Sequence, residues 1–389
     1  MPHAACGVLV MQTKVAPTFR KTVETFETGA KTLPQRYFVS PKIFAEEQEK
    51  IFSTQWMLVG HQSQIAKAGD YVWGVVGDES LIVIRDKRGG IHGFYNVCRH
   101  RGSRLIENRN GQLSAAIQCP YHAWTYALGG RLIGAPHMQD VPGFTNSHYS
   151  LHPVNVALRE GFVFVNLGKS PAPLEKWFAP LAGRFSRWNL SALRSAKRIE
   201  YEVRANWKLI FQNYSECYHC ASVHPELSKI SPSDSAENDL TEGPFLGGFM
   251  RIASDKSLTM SGNACALPVG DFGDEDFRFV FYYSIFPNML LSLHPDYVMV
   301  HQLQPESPER TLIFCDWFFN PAAAEVTVPG YRFNPEDAIE FWDMVNKQDW
   351  HVCELSQQGI SSRAYEPGPY SARESIPAAW DRYYLRYVS

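Results

Sequence analysis

Several things are missing from this 389-residue sequence, and each absence narrows its function. No apolar run approaches the ~18–20 residues that span a bilayer; stretches such as Met289–Leu293 fall far short. Neither sign of charge dominates: 37 basic and 40 acidic residues leave a formal charge of -3, with no electrostatic footprint for nucleic acid or an anionic membrane. Cysteine is sparse, with eight spread over the whole length, which is not a disulfide framework. There is no internal repeat, no low-complexity tract and no GxGxxG nucleotide loop. Ala4–Met11 is apolar, but no basic region precedes it and no cleavage site follows, so no secretory signal is expected.

Aromatic residues, by contrast, are plentiful at 13%, enough to line deep pockets, and 45% of residues are hydrophobic, enough for two or three packed domains. From Trp56 to Leu167 the chain reads as short strands and turns. Leu81–Arg85 and Ile91–Val97 are strands, and hairpins are expected at Gly129-Gly130 and at Glu160-Gly161. Lys169–Pro180, with three prolines, reads as a linker. Beyond it, Asn206–His219 has helical character, and Phe279–Leu293, Tyr297–Leu303 and Thr311–Phe319 read as strands of one antiparallel sheet. Asn334 and Pro335 open a long helix expected to reach Gln358 and stop at Gly359. The fold class is therefore α+β: a small all-β domain, then a sheet covered by a long C-terminal helix. The divisions expected are 1–45 as an N-terminal arm on the catalytic domain, 46–168 as the all-β domain and 169–389 as the α+β domain.

Cys98, Cys119, Cys217 and Cys220 each lie within three residues of a histidine, and Cys353 is two residues from His351. That pattern points to metal in a reducing cytoplasm rather than to disulfides. Cys98-Arg-His100 and Cys119-Pro-Tyr-His122 place one thiolate and one imidazole in each of two short loops. Tetrahedral zinc and a [2Fe–2S] cluster with two Cys on one iron and two His on the other both accept such a set. The paired C-x-H and C-x-x-H order favours the cluster, since zinc modules usually pair Cys with Cys and His with His. Gly134-Ala135-Pro136 offers a third covering loop, and Trp124 a shielding side chain.

A second dense segment is Glu216-Cys217-Tyr-His219-Cys220-Ala-Ser-Val-His224-Pro225. On one straight helix, residues five apart point about 140° away from each other, so His219 and His224 converge only if the helix breaks between them. Pro225 favours that break. On the long helix, Asp349 shares an apolar stripe with Ile339, Trp342, Val345 and Cys353. A carboxylate facing a core needs a partner or a metal. Two His and one carboxylate with open positions form the facial triad of non-haem Fe(II) oxygenases. Zinc on Cys217, His219, Cys220 and His224 would leave Asp349 unexplained, so these two cysteines are expected to be buried small hydrophobes.

Cys98-Arg-His100-Arg-Gly102 with Cys119-Pro-Tyr-His122-Ala-Trp124 resembles the Rieske motif of the Rieske non-haem iron oxygenases, in their large (α) subunit. The resemblance covers roughly residues 35–389 and includes Asn206-Trp207-Lys208 and Gly359 to Ser371. It implies a helix-grip catalytic domain and a Rieske [2Fe–2S] cluster on Cys98, His100, Cys119 and His122. It also implies mononuclear Fe(II) on His219, His224 and Asp349, and O2 as co-substrate. Electrons would come from NAD(P)H through a separate flavin or iron–sulfur reductase, since the chain has no reductase motif. The resemblance further implies a ring-shaped homotrimer in which Glu216 links the mononuclear iron to His122 of the neighbouring chain. Glu at this position, where most ring-hydroxylating members have Asp, is similar to the branch acting on glycine betaine, carnitine and choline. Glu216-Cys-Tyr-His219 and Tyr365-Glu-Pro-Gly-Pro-Tyr370-Ser371 also resemble that branch. The expected activity is hydroxylation or N-demethylation of a small quaternary ammonium compound. Ring hydroxylation of an aromatic acid is the alternative, and a zinc-stabilised or electron-carrying protein without oxygenase activity is an alternative of a different class. Phe249, Tyr283, Phe286, Leu291, His294, Tyr297 and Trp317 are candidates for the substrate pocket, with ordinary sheet core as the competing role for each.

Overall fold

The computed structural model describes residues 18–253, 256–326 and 332–388; the apolar stretch Ala4–Met11 lies outside the described residues. Its backbone organises around two large antiparallel sheets. The first has seven strands in the order Met57–His61, Phe162–Asn166, Pro153–Arg159, Ile91–Tyr95, Glu79–Arg85, Asp70–Val76 and Asn110–Gln112. A three-stranded sheet, Ala116–Gln118, Thr125–Ala127 and Leu132–Gly134, sits with it. Both expected hairpins form. Glu160 and Gly161 have φ of 51° and 81°, the paired positive values a two-residue turn of the right twist demands, and Gly130 has φ of 83°.

The second sheet has eight strands, ordered Arg20–Lys21, Glu237–Leu240, Phe245–Arg251, Phe279–Ile285, Met289–Leu293, Val298–Ser307, Arg310–Phe319 and Arg194–Val203. The stretch expected as one strand over Phe279–Leu293 is two, because the chain reverses at Phe286-Pro287-Asn288 and pairs Phe281 with Leu293. The long helix Pro335–Ile360 lies on this sheet, burying Ile339, Trp342, Val345, Asn346, Trp350 and Cys353. It passes through Gly359 rather than stopping there; the expected glycine stop fails because Gly359 keeps helical geometry and Ser361 caps the end by bonding back to Gln357 O.

Two further expectations are corrected. Lys169–Pro180 is not a bare linker. It carries the short helix Leu174–Trp177, and Phe178 stacks edge-on with Phe164 of one sheet at 5.2 Å and tilts against Phe245 of the other at 5.7 Å. Apolar residues at that spacing bury themselves between the sheets despite the prolines. Asn206–His219 is likewise not one helix. Helix Trp207–Tyr214 ends, residues 215–219 form a bend, and Cys220–Val223 and Pro225–Ile230 follow as separate short helices.

Beside Trp207–Tyr214 sits a buried charge pair. Lys208 Nζ lies 2.5 Å from Glu47 Oε1, and both side chains are fully shielded from solvent. Trp207 Nε1 donates to Glu47 Oε2 at 2.9 Å, and the Tyr384 hydroxyl also donates to Glu47. Trp207 itself packs among Phe52, Phe211 and Trp380. No helix among the described residues is long and apolar enough to cross a membrane. Removing one partner of a shielded pair strands the other charge and costs about 3–5 kcal/mol, whereas neutralising both costs far less. Glu47→Ala should therefore lower the melting temperature sharply, and the double variant Glu47→Gln/Lys208→Met should recover most of the loss in the same thermal scan.

Candidate metal centres

The two loops after Ile91–Tyr95 and Ala116–Gln118 are built alike. In the first, Gly102 N donates to Cys98 O at 3.1 Å and Cys98 N to Ser103 O at 2.8 Å. In the second, Ala123 N donates to Cys119 O at 3.1 Å and Cys119 N to Trp124 O at 2.8 Å. Gly102 and Ala123, each four residues after its cysteine, take left-handed φ values of 76° and 55°. Each loop thereby turns its Cys and His to the same side. Cys98 and Cys119 are buried free thiols, and the His100 and His122 rings are 4.7 Å apart. His100 stacks on Trp124 at 4.8 Å, and the Tyr126 hydroxyl sits 3.3 Å from Cys98 Sγ.

The fit to a cluster can be judged from the unpaired atoms. Nδ1 of His100 and Nδ1 of His122 are both buried with no hydrogen-bond partner. Two orphaned imidazole nitrogens beside two free buried thiols are a donor set that lacks its acceptor. These four side chains are not gathered into a cage of the kind that holds one ion; among the described residues only His219, His224 and Asp349 are, with ligand atoms within 4.8 Å of one another. Two thiols and two imidazoles are the donor set of a two-iron cluster with sulfur on one iron and nitrogen on the other.

The second centre forms where the helix breaks. His219 sits just ahead of Cys220–Val223, and His224, with φ of -122° and ψ of 66°, leaves helical geometry before Pro225 opens the next helix. That break brings the two rings to 5.1 Å. Asp349 Oδ1 lies 3.2 Å from His219 Nε2 and 2.8 Å from His224 Nε2. The far nitrogens are held as well: His219 Nδ1 by Glu216 Oε1 at 2.6 Å, and His224 Nδ1 by Gln348 Oε1 at 2.7 Å. Each imidazole therefore donates through Nδ1 and turns Nε2 inward, the tautomer a metal ligand needs. Burial disfavours charge on His219, but the hydrogen bonds it donates to Asp349 and Glu216 outweigh it and push its pKa up to about 10. Burial likewise disfavours the Asp349 carboxylate, yet the hydrogen bonds from His219 and His224 bring its pKa down to about 2. Two carboxylates converging on one imidazole make a site short of positive charge. Two nitrogens and one oxygen with open space beside them fit ferrous iron.

Several expectations change here. Because the expected helix over Asn206–His219 ends at Tyr214, Glu216 lies in the bend, and it reaches His219 because the chain folds back on itself. Cys217 and Cys220 are not separate small hydrophobes. They form a disulfide across a Cα distance of 4.9 Å, within ordinary bridging range, which corrects the expectation of metal rather than a disulfide for this pair. Gln348 was missed, because an amide is not a usual metal ligand and its part is to hold one. Its position beside Asp349 was the available signal.

A cavity of about 200 Å³ opens beside the triad. Its walls include Tyr214, Phe249, Tyr282, His301, Trp342 and Trp350. Of the seven pocket candidates only Phe249 lines it. Tyr283 and Leu291 pack in the core between the sheets, and Phe286, Tyr297 and Trp317 in the main core. His294 is fully buried and stacks on Tyr297 at 4.1 Å. Successive strand residues face opposite ways, so Tyr282 faces the cavity and Tyr283 does not.

Comparison with known proteins agrees with this geometry. A family model described as the ring hydroxylating alpha subunit (catalytic domain) matches residues 190–389, and one described as the Rieske [2Fe-2S] domain matches residues 55–145. The glycine betaine monooxygenase oxygenase subunit of Chromohalobacter salexigens is 33% identical over 379 residues, covering 88% of this chain and 82% of that protein. The carnitine monooxygenase oxygenase subunit of Escherichia coli K12 is 35% identical over 339 residues, covering 86% of this chain and 85% of that protein. A crystal structure of the quaternary ammonium Rieske monooxygenase CntA with L-carnitine matches with a TM-score of 0.76 and 27% identity, over 92% of this chain and 96% of that one. Naphthalene 1,2-dioxygenase from Rhodococcus sp., at 20% identity and a TM-score of 0.73 over 92% and 94% of the two chains, shares the fold.

Two variants test the centre. Asp349→Ala should keep the red-brown cluster spectrum and lower iron from about three to about two per chain, with oxygen insertion abolished. Gln348→Leu should retain the triad but weaken iron binding by about 10–100-fold, read by chelator competition.

Proposed function

This chain belongs to the Rieske non-haem iron oxygenases as a ring-hydroxylating-type alpha subunit, and on that premise we propose that it oxidises a small quaternary ammonium compound. The observation carrying this reading is the cavity beside the triad, where the rings of Tyr214, Phe249, Tyr282 and Trp342 surround the space next to Asp349. Aromatic faces attract a permanent cation that has no N–H to donate, by about 0.5–2 kcal/mol per good contact. Glu216 and Asp234 also border the cavity and favour positive charge there. Lys21 and Arg373 line it too, available to the carboxylate that betaine and carnitine carry. The glycine betaine and carnitine monooxygenase oxygenase subunits named above act on that substrate class.

In this reading His219, His224 and Asp349 hold the iron, and Cys98, His100, Cys119 and His122 hold the cluster, with 46–168 as the cluster-bearing domain and 169–389 as the iron-bearing one. Iron in the triad supplies activation of O2. The chain's own work is to keep that face dry, orient the substrate and fix the two histidine tautomers. Oxidation of one N-methyl group consumes O2, two electrons and two protons and yields water and an N-hydroxymethyl product, which loses formaldehyde. Electrons come from a separate NAD(P)H-dependent reductase. Glu216, which holds His219 Nδ1, is the group facing His122 of the adjacent chain in a homotrimer.

The test is a product screen. Purified protein with a compatible reductase is offered glycine betaine, carnitine, choline and aromatic acids, and formaldehyde and hydroxylated products are measured. Consumption of a quaternary ammonium compound is expected; turnover of aromatic acids alone would overturn the reading. In the same assay Glu216→Gln should slow single-turnover reoxidation of the cluster while both metal contents stay unchanged, and an unaltered rate would remove its linking role.

A further inference from the structure

The bridge between Cys217 and Cys220 encloses His219, and the bonds around it tie that bridge to both imidazoles of the triad. Cys217 directly follows Glu216, whose carboxylate holds His219 Nδ1 at 2.6 Å. Cys220 directly follows His219, and its carbonyl oxygen accepts from His224 N at 2.8 Å. Residues 215–219 are not helical, and the backbone bonds at either end of the turn are long: Glu216 N to Asn213 O at 3.4 Å and Cys220 N to Cys217 O at 3.3 Å. The helix that follows, Cys220–Val223, has four residues, too few to be stable alone. The sulfur–sulfur bond is thus a covalent constraint on a turn otherwise held by hydrogen bonds. Both cysteines line the cavity beside the triad, and among the described residues no other cysteine does. Tyr218, between them, is 56% exposed, so the turn lies at the molecular surface.

We propose that Cys217 and Cys220 are a reversible redox site that sets how tightly the triad holds iron: the disulfide preorganises His219 and His224, and the dithiol frees them. The inference rests on the iron reading above and adds a means of regulating it. Closing the pair takes a peroxide, small enough to enter a cavity that admits O2. Two S–H bonds and the O–O bond break, one S–S bond forms, each sulfur gives up one electron, and the two protons leave in two molecules of water. Opening takes a dithiol, which supplies two electrons and two protons and becomes a disulfide itself. An open turn must be ordered again before both imidazoles face one ion, and closing a loop this short favours binding by roughly tenfold. An oxygenase gains from control in that sense, because its metal site tightens where oxidant is present.

The test is run anaerobically on the cluster- and iron-loaded protein. The pair is opened with tris(2-carboxyethyl)phosphine, its thiols are counted by alkylation and mass spectrometry, and the triad's hold on iron is read by competition with a ferrous chelator. The cluster spectrum is recorded throughout as a control. Reduction should weaken iron binding about tenfold. One equivalent of hydrogen peroxide, given to reduced protein with the triad emptied, should consume both thiols and restore tight binding on reloading. The double variant Cys217→Ser/Cys220→Ser should bind iron like the reduced wild type and ignore both reagents. Unchanged affinity in wild-type protein whose pair is shown to be open overturns the proposal, whether or not the variant folds. A pair that resists the phosphine in folded protein overturns it too, as do thiols that survive the peroxide. A variant that still responds to either reagent places the effect at other thiols and has the same consequence. If iron binds equally in both states, the redox site falls and the iron reading stands; if neither state takes iron, both fall.

Discussion

One carboxylate organises the active end of this molecule. Asp349 sits on a helix face otherwise committed to the core, within reach of two imidazole nitrogens. A carboxylate in that position is costly unless something positive meets it. His219 and His224 meet it only because the chain gives up helical geometry over residues 215–219 and again at His224. The disulfide between Cys217 and Cys220 spans His219, and Pro225 starts a new helix immediately after His224. Local irregularity here is the means by which two side chains five residues apart come to share one point. Glu216 and Gln348 then lock each ring from behind, so the site's geometry is set by two hydrogen-bonded neighbours and does not depend on loop stiffness alone.

The chemistry-bearing residues were legible because metal donors are few in kind and their spacing is constrained. Cys98, His100, Cys119 and His122 could be read as a pair of equivalent loops, and the structure builds them with matching turns at Gly102 and Ala123. The requirement that the helix break after His219 followed from rotation per residue. What lines the cavity was not legible in the same way. Tyr282 and Tyr283 are adjacent aromatics on one strand, and a slip of one residue in assigning the pleat sends the wrong one toward the iron. The division of Phe279–Leu293 into two strands at Pro287 shifts that parity again for everything downstream. Gln348 and Asn346 are neutral amides, and their parts appear only when the partner atom is in place. The Cys217–Cys220 bridge lay hidden behind the metal-binding pattern of the same segment.

The two sheets are joined by chemistry more than by covalent connection. Asn288, at the reversal of the catalytic sheet, accepts from Leu58 N at 2.8 Å and donates to Leu58 O at 2.9 Å on the edge strand of the other sheet. Phe178 fills the apolar side of the same junction. A backbone clasp plus an aromatic wedge leaves little freedom for the cluster-bearing loops to swing toward the triad of their own chain.

A single helical stripe carries three duties at once. Trp342, Val345, Asn346, Asp349, Trp350 and Cys353 fall at spacings of three and four residues, so they share one face of Pro335–Ile360. Asp349 meets the two histidine Nε2 atoms, Asn346 meets His301 Nε2, and Trp342 and Trp350 form cavity wall. Because residues on a helix move together, a register shift of one position would rotate all three functions about 100° off the cavity at once. The neighbouring polar residues on the flank, Asp343 and Lys347, pair with each other at 2.6 Å, and Asp343 accepts from the Tyr201 hydroxyl. Substrate polarity, metal geometry and cavity shape are therefore mechanically coupled through one rigid element. Altering specificity without disturbing the iron must act from the sheet side, at positions such as His301 or Phe249, which reach the same space from separate strands.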